Sequence, residues 1–280
     1  MKKIFLTLSI ALGLMTTQYA QDFHLPAPSP SININQQFST SFIGLNYSRP
    51  AVKGRIIFGD LIPFGQVWRT GANAATKVSF GEDVIIGGKT LPKGEYALYT
   101  IPQEKKWTIL FNKGTKNWGS AGYKEADNIL SVEVNVLPLN EIQENFTITL
   151  ENISENSADL ELIWEKTKVI LPIKADNHQA IIKYFDKELK GKNPPYADAA
   201  KYYLANDYQL DLALEYADKA IKQNPQAFYL FWTKAQIQEK LGKHEEAVES
   251  AKKAAEIAKN IPAFSYEYQK KYEDLRDNKK

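Results

Sequence analysis

The sequence contains no cysteine. This absence excludes disulfide bonds and thiolate metal sites, and it also excludes a lipid anchor attached through an N-terminal cysteine. A chain of 280 residues can form cores that are stable without covalent cross-links, so the absence of cysteine does not argue against export.

Histidine is also scarce, with three residues in the chain. His24, His178 and His244 lie in different segments, and none has a second potential ligand at a metal-binding spacing such as i and i+4. A Gly-x-Ser-x-Gly nucleophile motif is missing as well. We therefore expect neither a bound metal nor a cofactor.

The chain has no strong excess of either charge, since 35 basic residues face 33 acidic ones. Lys2 and Lys3 account for the whole formal surplus of +2. Binding to a nucleic-acid backbone requires a clear basic excess, so we do not expect nucleic acid as a partner.

No apolar run in the sequence reaches the length of about 20 residues that a membrane-spanning helix needs. The run from Ile4 to Met15 is shorter; it follows Lys2 and Lys3 and precedes a small-residue position at Ala20. This order is typical of a secretory signal peptide over residues 1–20. We expect an exported periplasmic or extracellular protein that is not a lipoprotein and has no membrane span after cleavage; the alternative is a membrane anchor.

Residues 21–173 are rich in short runs of β-branched and aromatic residues, most of them separated by Gly, Pro, Asn or Asp. In the run from Val132 to Val136, apolar and polar residues alternate cleanly. Seven or more such runs without an intervening helical pattern predict an antiparallel β-sandwich.

The segment from Gly81 to Thr90 superficially resembles a phosphate-binding loop because it ends in Gly-Gly-Lys-Thr. Such a loop needs a helix after the lysine, whereas Leu91 and Pro92 follow here. Gly87 and Gly88 instead predict the tight turn of a β-hairpin, because glycine readily adopts positive φ.

After Asp176 the spacing of apolar residues becomes that of a helix, which predicts a linker helix within residues 174–193. Within residues 194–280, three alanines recur 34 residues later: Ala213, Ala217 and Ala220 correspond to Ala247, Ala251 and Ala254. A 34-residue period with small residues where helices cross is typical of tetratricopeptide repeats. We predict two such repeats and a closing helix, with a plain helical bundle as the alternative.

One turn-rich segment combines chemistry suited to ligand binding. It carries Lys53, Arg55, Trp68, Arg69 and Asn73, while a second loop carries Asn112 and Trp118. Arginine offers a rigid fork of donors for carboxylates or sugar hydroxyls, and tryptophan offers a flat face for stacking. We predict a ligand site here. Alternatively, the arginines bind carbonyls of their own loop and Trp68 lies in the core.

The predicted repeats contribute a second candidate surface, a groove lined by the first helix of each repeat. Its residues are Tyr202, Asn206, Tyr229, Trp232, Gln236 and Lys240. An aromatic groove suits an extended peptide or a partner helix. Intramolecular packing is the alternative use for these aromatic residues.

Several motifs of the β region resemble an uncharacterised secreted bacterial family, known only as domain of unknown function 2911. They include Tyr47-Ser48-Arg49-Pro50, Val67-Trp68-Arg69-Thr70-Gly71-Ala72-Asn73, Leu91-Pro92-x-Gly94-x-Tyr96 and Trp164-Glu165. The resemblance covers about residues 25–173, and it implies an exported β domain with C-terminal tetratricopeptide-like helices. It implies no activity.

Taken with the sequence pattern, these observations favour a non-enzymatic module of the cell envelope that binds a peptide, a glycan or an envelope protein. One alternative is a hydrolase of envelope material that uses carboxylates such as Asp60 or Glu95. A structural assembly factor is the third hypothesis.

Overall fold

The computed structural model describes residues 25–277, so the signal peptide expected at residues 1–20 lies outside the described residues. The chain forms two compact units that divide between Asp176 and Asn177. An antiparallel β unit comes first and an α-helical unit follows, which confirms the predicted fold class.

The β unit contains nine strands in the order β1-β2-β3-β6-β7-β8-β9-β4-β5, and all neighbouring strands are antiparallel. The strands are β1 (Ser31–Phe38), β2 (Ser41–Ser48), β3 (Thr76–Phe80), β4 (Val84–Ile86), β5 (Lys89–Leu91), β6 (Gly94–Pro102), β7 (Lys106–Asn112), β8 (Asn128–Glu151) and β9 (Ser157–Lys174).

The long strand β8 belongs to both layers of this unit. Its residues 128–135 pair with β7, and its residues 136–151 pair with β9, with register shifts between Pro138 and Thr147. The layer of β1, β2, β3, β6 and β7 faces the layer of β9, β4 and β5 across one apolar core. The Tyr47 hydroxyl crosses this core and donates a 2.9 Å hydrogen bond to the carbonyl of Ile148.

Five aromatic rings lie at the centre of the core. Trp107 comes from β7, Phe146 from β8 and Trp164 from β9, while Phe58 and Trp68 come from the crossover between β2 and β3. The Trp68 ring stacks on Trp164 with centroids 5.7 Å apart and meets Phe146 edge to face at 5.1 Å. Such pairs add about 0.5–1.5 kcal/mol each beyond the burial of their area. The cluster therefore joins both layers to the crossover.

The hairpin predicted at Gly87 and Gly88 is confirmed. Strands β4 and β5 pair over three residues each, and the two glycines between them have φ values of 58° and 75°. Gly87 also lies against Val132, because a Cβ there would be 3.0 Å from the valine Cγ1. Turn geometry and close packing both favour glycine at this position.

The α-helical unit contains six helices: α1 (His178–Glu188), α2 (Tyr196–Ala205), α3 (Leu210–Gln223), α4 (Phe228–Lys240), α5 (His244–Ala258) and α6 (Pro262–Arg276). Helices α3 and α5 begin 34 residues apart. The six alanines of the repeat lie on these two helices and are all buried. Their small side chains allow close helix packing; the assignment to tetratricopeptide repeats stays a prediction.

Replacing a ring of the central cluster tests its contribution to stability. Trp164 is 1% exposed, so Trp164→Ala should lower the free energy of unfolding by about 3–5 kcal/mol. Urea denaturation followed by far-UV circular dichroism measures this change. Trp118→Ala is the matched control, since Trp118 is 72% exposed and its removal should cost less than about 0.5 kcal/mol. Equal losses in the two variants would contradict the described core.

A buried phenol makes the stability of the helical unit depend on alkaline pH. Burial raises the pKa of Tyr203 to about 12. Because the folded state holds this proton more tightly than the unfolded state does, the stabilisation is complete below pH 10 and is lost as pH rises toward 12. Thermal unfolding at 222 nm should show this loss, and Tyr203→Phe should reduce its slope. An unchanged slope in the variant would contradict the assignment.

Candidate functional site

The crossover between β2 and β3 is anchored at Trp68. The backbone of Trp68 exchanges two hydrogen bonds with Thr100 of β6, at 2.8 and 3.0 Å, and its indole Nε1 donates to the carbonyl of Gly71 at 3.1 Å. The indole is 4% exposed. Arg69, the next residue, is therefore attached to one of the most firmly held points of the β unit.

The backbone after Arg69 is strained. Thr70 and Asn73 have φ values of 56° and 62°, in the left-handed region that residues other than glycine rarely occupy. The buried hydroxyl of Thr70 lies 3.2 Å from the Thr100 hydroxyl, and the Asn73 amide donates to Ser48 Oγ at 3.1 Å. Each such residue costs on the order of 1 kcal/mol, and such strain is concentrated at functional sites.

The side chain of Arg69 contains a buried donor without a partner. Its Nε has no hydrogen bond to any of residues 25–277. Its Nη1 lies close to Gly119, since a Cβ at that glycine would be 3.5 Å from Nη1 and 3.9 Å from the Asn73 carbonyl oxygen. These are ordinary contact distances, so Gly119 packs against the arginine, and its φ of 68° is what favours glycine. Buried polar atoms are normally paired, so an orphaned charged donor needs an explanation.

Trp118 lies beside this arginine with 72% of its surface exposed. An isolated bridge pairs it with Ala74, and Ala75 donates a 3.3 Å hydrogen bond to the carbonyl of Asn117. These backbone contacts bring the Trp118 loop to the segment that carries Arg69 and Asn73. A wide aromatic face, a guanidinium and an amide thus share one end of the β unit.

Hydrogen bonds that involve buried side chains hold the loop that carries Trp118. Asn112 is fully buried and donates to the Lys124 carbonyl at 3.0 Å and to Asn128 Oδ1 at 2.8 Å. Asn117 donates to the buried Tyr99 hydroxyl at 3.1 Å. Asn112 therefore shapes the loop and does not present its amide to solvent.

The remaining predicted residues of the crossover lie elsewhere. Arg55 donates to the carbonyls of Val52 and Ala51, at 3.0 and 2.6 Å, so its guanidinium binds its own loop. Lys53 has a φ of 50°, and its backbone N–H donates to Glu144 Oε1 at 2.9 Å. Of the seven predicted ligand-binding residues, the structure brings together Arg69, Asn73 and Trp118.

Two residues of this site were not identified from the sequence. Ser48 holds the Asn73 amide, and Gly119 packs against the guanidinium. A glycine directly after an exposed tryptophan is the one local signal that pointed to Gly119. Nothing local marks Ser48.

The comparisons with known proteins identify the family of the β unit. Residues 29–173 match the model of a family described as "Protein of unknown function (DUF2911)". The chain belongs to this family. The resemblance expected for about residues 25–173 is thereby confirmed, and Arg69, Asn73 and Trp118 all lie within the matched range. No curated protein and no solved structure matches the chain.

The residues proposed for the helical groove lie beyond the DUF2911 match and have separate surroundings. The Tyr202 hydroxyl lies 3.0 Å from His178 Nδ1, and Trp232 faces the Lys271 ammonium at 5.3 Å. Lys240 forms an ion pair with Asp207. The other three are Asn206, which donates to the Tyr202 carbonyl, and the exposed Tyr229 and Gln236.

The carboxylates proposed for a hydrolase lie in different settings of the DUF2911 region. Glu95 on β6 pairs with Lys77 at 3.4 Å, and Asp60 is exposed in the crossover. Among the described residues, no three His, Cys, Asp or Glu side chains form a potential metal site. Nor is any helix of the described range long and apolar enough to cross a membrane.

The exposure of Trp118 can be measured directly. Trp68, Trp107 and Trp164 are each at most 4% exposed and Trp232 is half-buried, so Trp118 should dominate collisional quenching of tryptophan emission. Trp118→Phe should therefore remove most of the acrylamide-quenchable fluorescence, whereas Trp232→Phe should remove little. An unchanged quenching constant in Trp118→Phe would place the indole in the interior.

Proposed function

We propose that this protein is an exported, non-enzymatic binding protein of the cell envelope whose β unit holds a saccharide bearing a carboxylate. The observation that carries the proposal is the Arg69 guanidinium, whose buried Nε has no partner among residues 25–277, on the segment that pairs with the loop of the exposed Trp118. Asn73 completes the site. A single fold hosts many functions, so the proposal rests on these side chains and not on the sandwich.

The arginine accounts for the carboxylate. A guanidinium presents pairs of N–H groups in planar forks that match the two oxygens of a carboxylate. Arg69 Nε is buried, so the fork that a ligand can reach is formed by the two Nη groups. A carboxylate there would form charge-assisted hydrogen bonds with Arg69.

The tryptophan and the asparagine account for the sugar. An indole face packs against the apolar face of a sugar ring. The Asn73 amide nitrogen already donates to the Ser29 carbonyl and to Ser48 Oγ, at 3.3 and 3.1 Å, so its Oδ1 is the atom that accepts from a sugar hydroxyl. Asn73 is held at a φ of 62°, and the backbone carbonyl of Arg69 accepts a 3.1 Å hydrogen bond from Thr76. Little ordering is then required on binding, which favours affinity.

Binding is a better use of this site than catalysis. Arginine, asparagine and tryptophan side chains do not exchange protons near neutral pH, so the three groups cannot serve as a general acid and base. They are suited to holding and orienting an anionic ligand.

Export is part of the same proposal. The basic residues Lys2 and Lys3 and the apolar run from Ile4 to Met15 support it. Intact mass spectrometry of the protein recovered from its native cell should show a chain that begins at Gln21. Recovery of the chain with residues 1–20 attached would contradict cleavage after Ala20.

A titration with acidic and neutral sugars tests the site. Wild-type protein should bind a uronic acid and a muramyl carboxylate, and binding of either should change the fluorescence of Trp118. The matching neutral sugars should bind weakly. Arg69→Ala should lower the affinity at least tenfold, because a hydrogen bond to a charged group contributes about 1.5–3 kcal/mol. Isothermal titration calorimetry measures the affinity.

Arg55→Ala is the matched control, since it removes the same side chain from the same crossover. Arg55 binds carbonyls of its own loop, so the variant should keep wild-type affinity. Equal binding by wild type and Arg69→Ala would remove Arg69 from the site. An equal loss in both arginine variants would show a general effect on the loop.

A further inference from the structure

A groove of mixed polarity crosses the outer face of the layer that carries the Arg69 site. It has a volume of about 480 Å³ and runs over β1, β2, β3 and β6. The residues that line it are Asn33, Ile34, Asn35, Phe42, Gly44, Leu45, Asn46, Lys77, Ser79 and Glu95. Six of these ten residues carry an amide, hydroxyl, ammonium or carboxylate group, so polar and apolar surfaces alternate along the groove.

The floor of the groove is formed by a glycine. Gly44 lies between Asn35 on β1 and Ser79 on β3 in the strand register. A Cβ at Gly44 would lie 2.8 Å from Ser79 Oγ and 3.7 Å from the Phe42 ring, so these two side chains pack over the glycine. The missing side chain lets the serine hydroxyl lie close to the backbone and form part of the groove floor.

The walls are polar and balanced in charge. Asn33 and Asn46 lie opposite each other and share a hydrogen bond between their amides. Lys77 is the neighbour of Asn46 on β3 and forms a 3.4 Å ion pair with Glu95. Sugar hydroxyl groups both donate and accept, and this mixture of amides and paired charges offers both kinds of partner without a net charge.

An aromatic ring closes the end of the groove that lies farther from Arg69. Phe42 is 40% exposed, and its ring covers two glycines: Cβ atoms at Gly81 and Gly44 would lie 2.8 and 3.7 Å from it. The ring therefore packs against both glycines, while two fifths of the side chain stays exposed. An exposed aromatic ring beside amides suits contact with the apolar face of a sugar.

The other end of the groove meets the Arg69 site. Asn46 and Ser48 project from the same face of β2, because side chains two residues apart in a strand point the same way. Ser48 Oγ accepts the hydrogen bond from the Asn73 amide at 3.1 Å. At about 3.3 Å per residue, the path from Phe42 to Ser48 spans roughly 20 Å, long enough for several sugar units.

The neighbouring part of the same face is covered. Ala75, Ala97 and Tyr99 of the outer surface are buried beneath the loop that carries Trp118 and Tyr123. This loop forms a border along the groove. A long ligand anchored at Arg69 is thereby directed over β1 to β3.

We infer that the protein binds a linear oligosaccharide with a carboxylate on its terminal unit, which lies at Arg69, and with neutral following units that occupy the groove from Asn46 to Phe42. This inference rests on the proposed function for its anchor at Arg69. It adds that the ligand is a chain of several units, and that contacts in the groove increase the affinity as the chain becomes longer.

Neutral oligosaccharides of increasing length that end in one uronic acid, with the free uronic acid as the monomer, test the inference by calorimetry on the full chain. Wild-type protein should bind a hexamer at least tenfold more tightly than a monomer. The double variant Asn35→Ala/Asn46→Ala should bind the monomer as wild type does and should lose the gain with length. Both side chains are exposed, so these substitutions should leave the fold intact.

Two further variants separate the groove from its anchor. Asn140→Ala removes an exposed amide from β8, outside the groove, and should keep the full gain with length. Phe42→Ala should reduce hexamer binding while leaving monomer binding unchanged. Arg69→Ala should weaken every length.

The outcomes distinguish the two proposals. Monomer binding that depends on Arg69, without any gain for the hexamer in wild type, would overturn the groove and leave the proposed function standing. A full gain with length in Asn35→Ala/Asn46→Ala would also overturn the groove. Binding of neither monomer nor hexamer would overturn the proposed function and the inference with it.

Discussion

The packing of five aromatic rings between the two layers is the constraint on which the rest of the β unit depends. Trp68 belongs to this cluster, and its backbone pairs with Thr100, so the crossover has one fixed orientation at this point. With Trp68 buried, Arg69 extends toward Gly119 on the opposite side of the backbone. The position of the charged group on the surface thus follows from the apolar packing beneath it, and the strain at Thr70 and Asn73 is tolerated for the same reason.

The order of β and α units was predictable because both signals are local. Alternation over Val132 to Val136, a glycine pair at 87 and 88, and alanines 34 residues apart each indicate their structure within a short window. The site was predictable only in part. Arg55 and Arg69 look alike in the sequence. They differ because carbonyls lie within reach of Arg55, whereas Arg69 Nε has no such acceptor among residues 25–277.

The sequence could not predict which residues meet at the site or where the groove lies. Both depend on pairings between distant segments of the chain. Trp118 meets Ala74 through a bridge between segments more than forty residues apart along the chain. Asn33 and Asn35 belong to a run that indicates only a strand. They form part of the groove wall because residues of β2 and β3 lie beside them in the sheet. Gly44 shows the same limit, because its part in the groove depends on Ser79 and Phe42, which pack over it from other positions of the sheet.

Strand β8 has a consequence for how the β unit responds to a ligand. Because the same strand pairs with β7 in one layer and with β9 in the other, neither layer can detach while β8 stays paired. Local openings of the two layers are therefore thermodynamically coupled. A molecule bound on the outer face of β1 to β3 would slow amide hydrogen exchange in β9 as well, although it touches none of that strand.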